Sequence, residues 1–244
     1  MVLGKADLLR HIEAGEIIVD PLDKRNIKGA SIDVSLGQYY FRMQAALTYQ
    51  SRRHAYRNIY APDAGRSLWG KYLKAETLRE SIQRMEVEEK STLAFFEGIH
   101  PDEKVIMMHP DETILAHTHE FVGSTKRFVG VITTRSTPGR QAVEIKPVLW
   151  GDPGFIGRWT LVVNNPTPFI TPIVVGRRLP QIFFLEVKGE TEDYGIEAEG
   201  GKYQVAATLE ELKRKWNPDD ILPKMHKDRE VDRAKDLFFV HNGF

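Results

Sequence analysis

The sequence predicts a mainly β fold: a distorted barrel or jelly roll with a helix ahead of it, a helical insertion within it and a helical extension behind it. Two observations carry this expectation. From Lys104 to Val187 the chain is a series of short β-rich runs: KVIMMH, TILAHTHEFV, FVGVITT, AVEIKPVLW, RWTLVVNN, FITPIVVG and LPQIFFLEV. Gly, Pro, Asp and Asn punctuate them about every ten residues, the spacing of strands and turns in a sandwich or barrel. Upstream, Ile32, Val34 and Leu36 alternate with Ser31, Asp33 and Ser35, a period of two that suits a strand with one apolar face.

The helices are read from a longer period. Residues 5–14 (KADLLRHIEA) place Leu8, Leu9 and Ile12 on one side, with Gly15 as a stop. From Lys71 to Glu89, Leu78, Ile82 and Met85 share a face with charges between them. In ATLEELKRKW, Thr208 is the expected N-cap and Glu211 follows three residues on. The expectation is a single domain over residues 1–244, with an insertion at about 42–103 and an extension at about 205–244 that wraps the surface or a neighbouring subunit.

Composition narrows the function. Basic and acidic residues balance at 34 each, so no global field attracts nucleic acid or an anionic membrane, and any phosphate site has to be local. The absence of cysteine excludes disulfides, thiolate metal sites and cysteine nucleophiles. No apolar run approaches the roughly 18 residues of a membrane span, and the first twenty residues carry no apolar leader. A cytoplasmic location is the expectation.

Three turns carry candidate chemistry. Thr134-Arg135-Ser136-Thr137-Pro138-Gly139-Arg140 joins guanidinium groups, hydroxyls and a flexible glycine between two strands. Such a turn can surround a phosphate, and it can equally be a solvated turn with surface arginines. Gly151-Asp152-Pro153-Gly154-Phe155-Ile156-Gly157 is strong turn chemistry. There Asp152 either caps the turn or orients a water, and Phe155 offers a flat surface to a sugar or base. Gly176-Arg177-Arg178-Leu179-Pro180-Gln181 precedes an apolar strand, and the Gln181 amide can read a phosphate or base edge or simply close a turn.

In order and spacing these turns resemble the dCTP deaminase/dUTPase superfamily. Its A-S-x-D-x-x-L-G motif matches Ala30 to Gly37, and its R-S-S-x-x-R motif matches Arg135 to Arg140. D-P-G-[aromatic]-x-G matches Asp152 to Gly157, and G-x-x-x-x-Q matches Gly176 to Gln181. Leu115 to Glu120 is similar to its L-A-x-T-x-E strand. The start of the chain and the Tyr194…Lys202-Tyr203 element are similar to the dCTP deaminase branch. The resemblance covers residues 1–41 and 104–204.

The resemblance implies a dUTPase-type fold and a homotrimer with sites between subunits. It implies that Arg135, Ser136 and Arg140 hold a deoxynucleoside triphosphate, helped by Gln181 and, on closure of the tail, by Tyr194 and Lys202. Phe155 would lie against the deoxyribose. Mg2+ would be held chiefly by the phosphates, with Asp33 either in its outer shell or fixing the strand.

One departure bears on the reaction. Deaminating members carry a glutamate in the strand after the D-P-G turn, and counting along RWTLVVNN puts Val162 there. Valine cannot move a proton. Trp150 stands near where an arginine usually precedes the aspartate, and Glu144 is the weaker substitute carboxylate. Asp152 is kept, at the position that activates the attacking water in pyrophosphatase members. The first expectation is therefore Mg2+-dependent release of pyrophosphate from dUTP. Deamination of dCTP, a non-catalytic nucleotide-binding protein and a generic β-barrel interaction module are the alternatives.

Other features are given structural roles. His117 and His119, two apart on a strand, lack a third metal ligand. The basic and aromatic RRHAYR segment suits a loop in a neutral chain, and Trp69, Trp150, Trp159 and Trp216 suit core or interface packing.

Overall fold

A computed structural model describes residues 1–44, 57–146, 150–189, 191–196 and 201–231. The RRHAYR segment, apart from Arg57, lies outside the described residues. The chain opens with α1 (Lys5–Glu13), β1 (Ile17–Asp20), β2 (Ile27–Lys28) and the long β3 (Ser31–Arg42). Then come α2 (Ala64–Trp69), β4 (Leu73–Lys74), β5 (Glu76–Thr77), α3 (Leu78–Arg84) and α4 (Glu89–Phe95). The β-rich half supplies β6 (Lys104–Met108), β7 (Glu112–Thr118), β8 (Phe121–Ser124), β9 (Phe128–Thr134) and the one-turn helix α5 (Ser136–Arg140). It continues as β10 (Glu144–Ile145), β11 (Trp150–Gly151), β12 (Ile156–Gly157), β13 (Thr160–Asn165), β14 (Thr171–Val174) and β15 (Arg178–Glu186). Helix α6 (Leu209–Lys215) and short 3-10 turns complete the described chain.

These strands form a curled antiparallel half-barrel, as the sequence predicts. Its 9-stranded sheet runs β10-β13-β7-β3-β15-β9-β11, with β2 and β4 beside β3. Two 3-stranded sheets, β1-β8-β12 and β14-β6-β5, complete it. Neighbours distant in sequence, such as β3 with β15, give the jelly-roll-like crossing. The main core gathers Ile32, Val34 and Leu36 of β3 with Phe128, Ile132, Ile182 and Phe184. No helix among the described residues is long and apolar enough to cross a membrane.

Several expectations shift in detail. Helix α1 spans residues 5–13 and buries Leu8 together with His11, whose ring lies 4.6 Å from that of Phe128. On β3 the polar face is covered as well, so Asp33 and Ser35 are buried. Arg135 and Arg178 pair with Asp33, and the Glu120 carboxylate accepts from the Ser35 N–H at 2.8 Å. Helix α3 starts at Leu78, seven residues after the expected Lys71, because Thr77 and Glu80 form a capping box there. It stops at Arg84, and Glu86 takes the left-handed conformation at φ 56°. The segment about it is tied to the framework, since β4 pairs with β3 and β5 with β6. Thr208 caps α6 as expected, its hydroxyl accepting from the Glu211 N–H at 3.3 Å.

His117 and His119 do not share a face: His117 is fully buried and His119 exposed, because β7 ends at Thr118. Among the described residues no His, Asp and Glu cluster could hold a metal ion.

Candidate active site

The local sequence dictates the Asp152 turn. Pro153 and Gly154 occupy its corner, Gly154 at φ 87°, and the Phe155 N–H donates to the Asp152 carbonyl at 2.9 Å. Pro followed by a left-handed glycine is the pattern a type II turn requires. Behind the turn, Trp159 is buried and donates from its indole N–H to the Val122 carbonyl at 2.9 Å. Its ring fills the space where a Cβ on Gly151 or Gly130 would lie, 2.3 and 2.8 Å away. Small residues on β9 and β11 thus let Trp159 hold the turn against the sheet.

The tail folds over this turn. The Tyr194 N–H donates to the Pro153 carbonyl at 2.9 Å, and the Tyr194 ring meets Phe155 edge-on at 5.3 Å. The Tyr194 hydroxyl accepts from the backbone N–H groups of Lys202 and Tyr203, and burial pushes its pKa up. Lys202 pairs with Asp228 of the extension, a contact that raises the lysine's pKa. The Gln204 amide accepts from the Ile156 N–H at 2.8 Å.

A cavity of about 580 Å3 opens between the turn, the tail, β13 and the extension, within the roughly 300–1,000 Å3 of small-molecule sites. Asp152, Phe155, Tyr194 and Lys202 line one part of it. Leu115, Val162, Trp216 and Ile221 line another, with Arg158, Thr160 and Asp220 also at the wall. Asp152 is exposed, and its carboxylate makes no hydrogen bond or ion pair among the described residues. Glu144 is exposed on β10 and is not part of the lining.

The remaining expected site residues lie elsewhere in the chain. Arg135 lines a second, more polar cavity of about 750 Å3 with Arg25, Lys28, Arg177 and Arg178. Its Nε forms an ion pair with the Asp33 carboxylate at 3.0 Å, and its Nη1 donates to the Arg178 carbonyl at 3.0 Å. Ser136 and Arg140 are exposed at either end of α5. Gln181 sits beside them on β15, opposite Asp33 on one side and Thr133 on the other. Strand register explains the separation. Trp150 and Gly151 pair with Val131 and Gly130, so Asp152 follows toward the start of β9 while Arg135 leaves its end. About six residues at roughly 3.3 Å each put the two turns about 20 Å apart within one chain.

The sequence reading missed Arg158 and Trp216 as wall residues. The guanidinium carbon of Arg158 lies 4.6 Å from the centroid of the Trp216 ring. Thr160 and Val162 alternate along β13 and line the cavity, and Arg158 lines it from the segment just before that strand. Nothing in the sequence marks its meeting with Trp216.

The family model described as dCTP deaminase-like matches residues 2–187. The chain belongs to the dCTP deaminase-like family. A dCTP deaminase of Haloarcula marismortui is 27% identical over 208 residues, covering 84% of this chain and 90% of that protein. A dUMP-forming dCTP deaminase of Methanothermobacter thermautotrophicus is 26% identical over 206 residues, covering 83% and 88%. The crystal structure of a dCTP deaminase from Agrobacterium tumefaciens is similar at 16% identity and a TM-score of 0.47, over 75% of this chain and 47% of that one. The dCTP deaminase-like match ends before Tyr194, so the tail and extension that wall the cavity follow the matched segment.

Proposed function

We propose that this chain is an enzyme acting on a pyrimidine deoxynucleoside triphosphate, and that its reaction is hydrolysis to the monophosphate and pyrophosphate. The observation that carries the reaction is the presence of both Asp152 and Val162 in the lining of one cavity. An unpaired carboxylate is at hand to orient water, and an alkyl group stands where a deaminating member has its glutamate. In this reading water attacks the α-phosphorus, the bond to the bridging oxygen breaks, pyrophosphate leaves, and Asp152 holds the proton that the water gives up. Phe155 supports the deoxyribose, and Tyr194 and Lys202 close the phosphate end. Lys202 exchanges Asp228 for phosphate oxygen in doing so.

The Arg135 turn belongs to the same site only if two copies meet. With about 20 Å between the turns in one chain, Arg135, Ser136, Arg140 and Gln181 of one subunit would face Asp152 of the next, as a homotrimer provides. Mg2+ fits this arrangement as a hard ion held mainly by substrate phosphates, since the chain offers Asp152 but no cluster of ligands among the described residues. When bound, it would supply charge stabilisation on the phosphate oxygens. Asp33, already paired with two arginines, fits better as a strand anchor than as part of the ion's outer shell.

A second reading, deamination of dCTP, is favoured by the relatives, which are named dCTP deaminases. The name of the dUMP-forming relatives implies both loss of ammonia and loss of two phosphates. A chain lacking the glutamate keeps residues for the second step alone.

One screen separates these readings. The native chain is incubated with dCTP, dUTP, dTTP or dATP and Mg2+, and pyrophosphate and ammonia are measured separately. Pyrophosphate from dUTP without ammonia from dCTP supports hydrolysis, and ammonia from dCTP makes it a deaminase. Tight binding without product makes it a nucleotide-binding protein, and no binding at all leaves an interaction module.

A further inference from the structure

Arg158 is a half-buried cation without a polar partner among the described residues. Its guanidinium carbon is 4.8 Å from the centroid of the Phe121 ring and 4.6 Å from that of Trp216, in the corner that these two rings make by meeting edge to face at 84°. Its Nε is buried and makes no hydrogen bond. Among the described residues its side chain has no ion pair either. Burial lowers its pKa, with Glu120 and Tyr39 acting from a distance in the other direction. Aromatic faces recover only part of the hydration that a guanidinium loses on burial. A methionine or leucine would fill the same place at less cost to the fold.

The position of the group suggests what the cost is for. Arg158 lines the cavity that also holds Asp152, Phe155 and Val162. Trp216, which covers it, comes from the extension and is itself fixed by His117, with ring centroids 4.8 Å apart. The guanidinium thus meets aromatic rings on two sides and no acceptor among the described residues, which leaves its N–H donors for an acceptor in the cavity.

We infer that Arg158 is a ligand-binding residue whose guanidinium edge donates to an oxygen of the bound nucleotide, a base carbonyl or a phosphate, and that Trp216 positions it. This rests on the proposed nucleotide site and adds to it a recognition group that the extension completes in cis.

The test compares the native chain with Arg158→Met and Trp216→Leu, using calorimetric titration with deoxyuridine and with dUTP, thermal unfolding and solution mass. Arg158→Met is expected to bind nucleotide about 10- to 100-fold more weakly, the range for losing a charge-assisted contact, with an equal or higher melting temperature and unchanged mass. Trp216→Leu is expected to weaken binding in the same direction by a smaller factor. A loss for both ligands assigns the contact to the base carbonyl, and a loss confined to dUTP assigns it to a phosphate. If the native chain binds dUTP and Arg158→Met binds it equally well, this inference is overturned and the nucleotide site stands. A lower melting temperature or altered mass with intact affinity also overturns it, since Arg158 would then serve only the fold or assembly. If the native chain binds no nucleotide, both proposals fall.

Discussion

The phenolic oxygen of Tyr194 accepts a hydrogen bond from the backbone N–H of Lys202 at 3.1 Å, so the chain leaving the last strand turns back beside Asp152. The same oxygen takes the Tyr203 N–H at 3.2 Å, and the ring rests on Phe155. One hydroxyl thus closes the tail over the turn.

Tyr194→Phe keeps the ring contact and removes that acceptor. Solvent reaches Tyr203, which is 37% exposed, so the expected loss of stability is modest, about 1 kcal/mol. The larger effect is expected in KM for the nucleotide, because the phosphate-side wall loosens while Asp152 is untouched. Urea unfolding and steady-state kinetics check this. A KM equal to that of the native chain would show that the closed tail contributes nothing to binding.

His117 gives the fold a pH dependence. Burial lowers its pKa from 6.5 to about 3, against the opposing effect of its hydrogen bond to the Thr118 carbonyl. With Nδ1 donating there at 2.7 Å, Nε2 accepts from the Tyr39 N–H at 3.3 Å, and the ring lies where Gly37 has no Cβ. The native imidazole stays neutral while the unfolded one gains a proton below about 6.5. Its stabilising contribution is therefore complete above that pH and is lost as pH falls toward 3, by up to about 1.4 kcal/mol per unit. Between pH 7 and pH 5 it should account for about 2 kcal/mol of lost unfolding free energy. His117→Gln should start lower at pH 7 and decline less steeply, and a parallel decline would remove His117 as the cause.

Much of this was legible in the sequence, for local reasons. Most strand runs, the Thr208 cap and the Asp-Pro-Gly turn depend on residues within a few positions of each other and form where expected. Of AVEIKPVLW only Glu144, Ile145 and Trp150 are in strands, and residues 147–149 lie outside the described residues. Of the residues that the family motifs mark for one site, Asp152, Phe155, Tyr194 and Lys202 line one cavity, and Arg135, Ser136, Arg140 and Gln181 do not line it. What the sequence could not show depends on register and long-range packing. Pairing of Trp150 with Val131 carries Asp152 away from Arg135. Asp33, read as the outward side of a strand, is buried because arginines from two other turns converge on it. Trp216 meets His117 and Arg158 only once the extension folds back.

The Asp33 cluster yields a third prediction. Its Oδ2 accepts from Arg178 Nη1 at 2.9 Å and forms an ion pair with Arg135, whose Nε is 3.0 Å away. Removing the carboxylate strands two cations, a change that costs about 3–5 kcal/mol when both are fully buried. The Arg178 side chain is 38% exposed, so water offsets part of this, and about 2 kcal/mol is expected for Asp33→Ala. Chemical denaturation measures it. A loss below about 0.5 kcal/mol, the range of neutral surface changes, would show that the cluster does not hold β3 and β15 together.

Val162→Glu tests the reaction from the other side. The new carboxyl would sit among Leu115, Trp216 and Ile221, apolar neighbours that raise a carboxyl pKa toward neutrality. A group titrating there can take a proton from water and deliver it to a ring nitrogen or a leaving amine. If a cytosine ring lies beside residue 162, the variant should release ammonia from dCTP slowly but measurably, while Val162→Gln, of similar size and unable to shuttle a proton, should release none. Binding of dCTP must be retained in both, which titration establishes independently of turnover. A glutamate variant that binds dCTP like the native chain yet releases no ammonia at any pH from 5 to 9 would place the base elsewhere. The loss of the glutamate would then no longer explain the reaction, and the case for hydrolysis would rest on Asp152 alone.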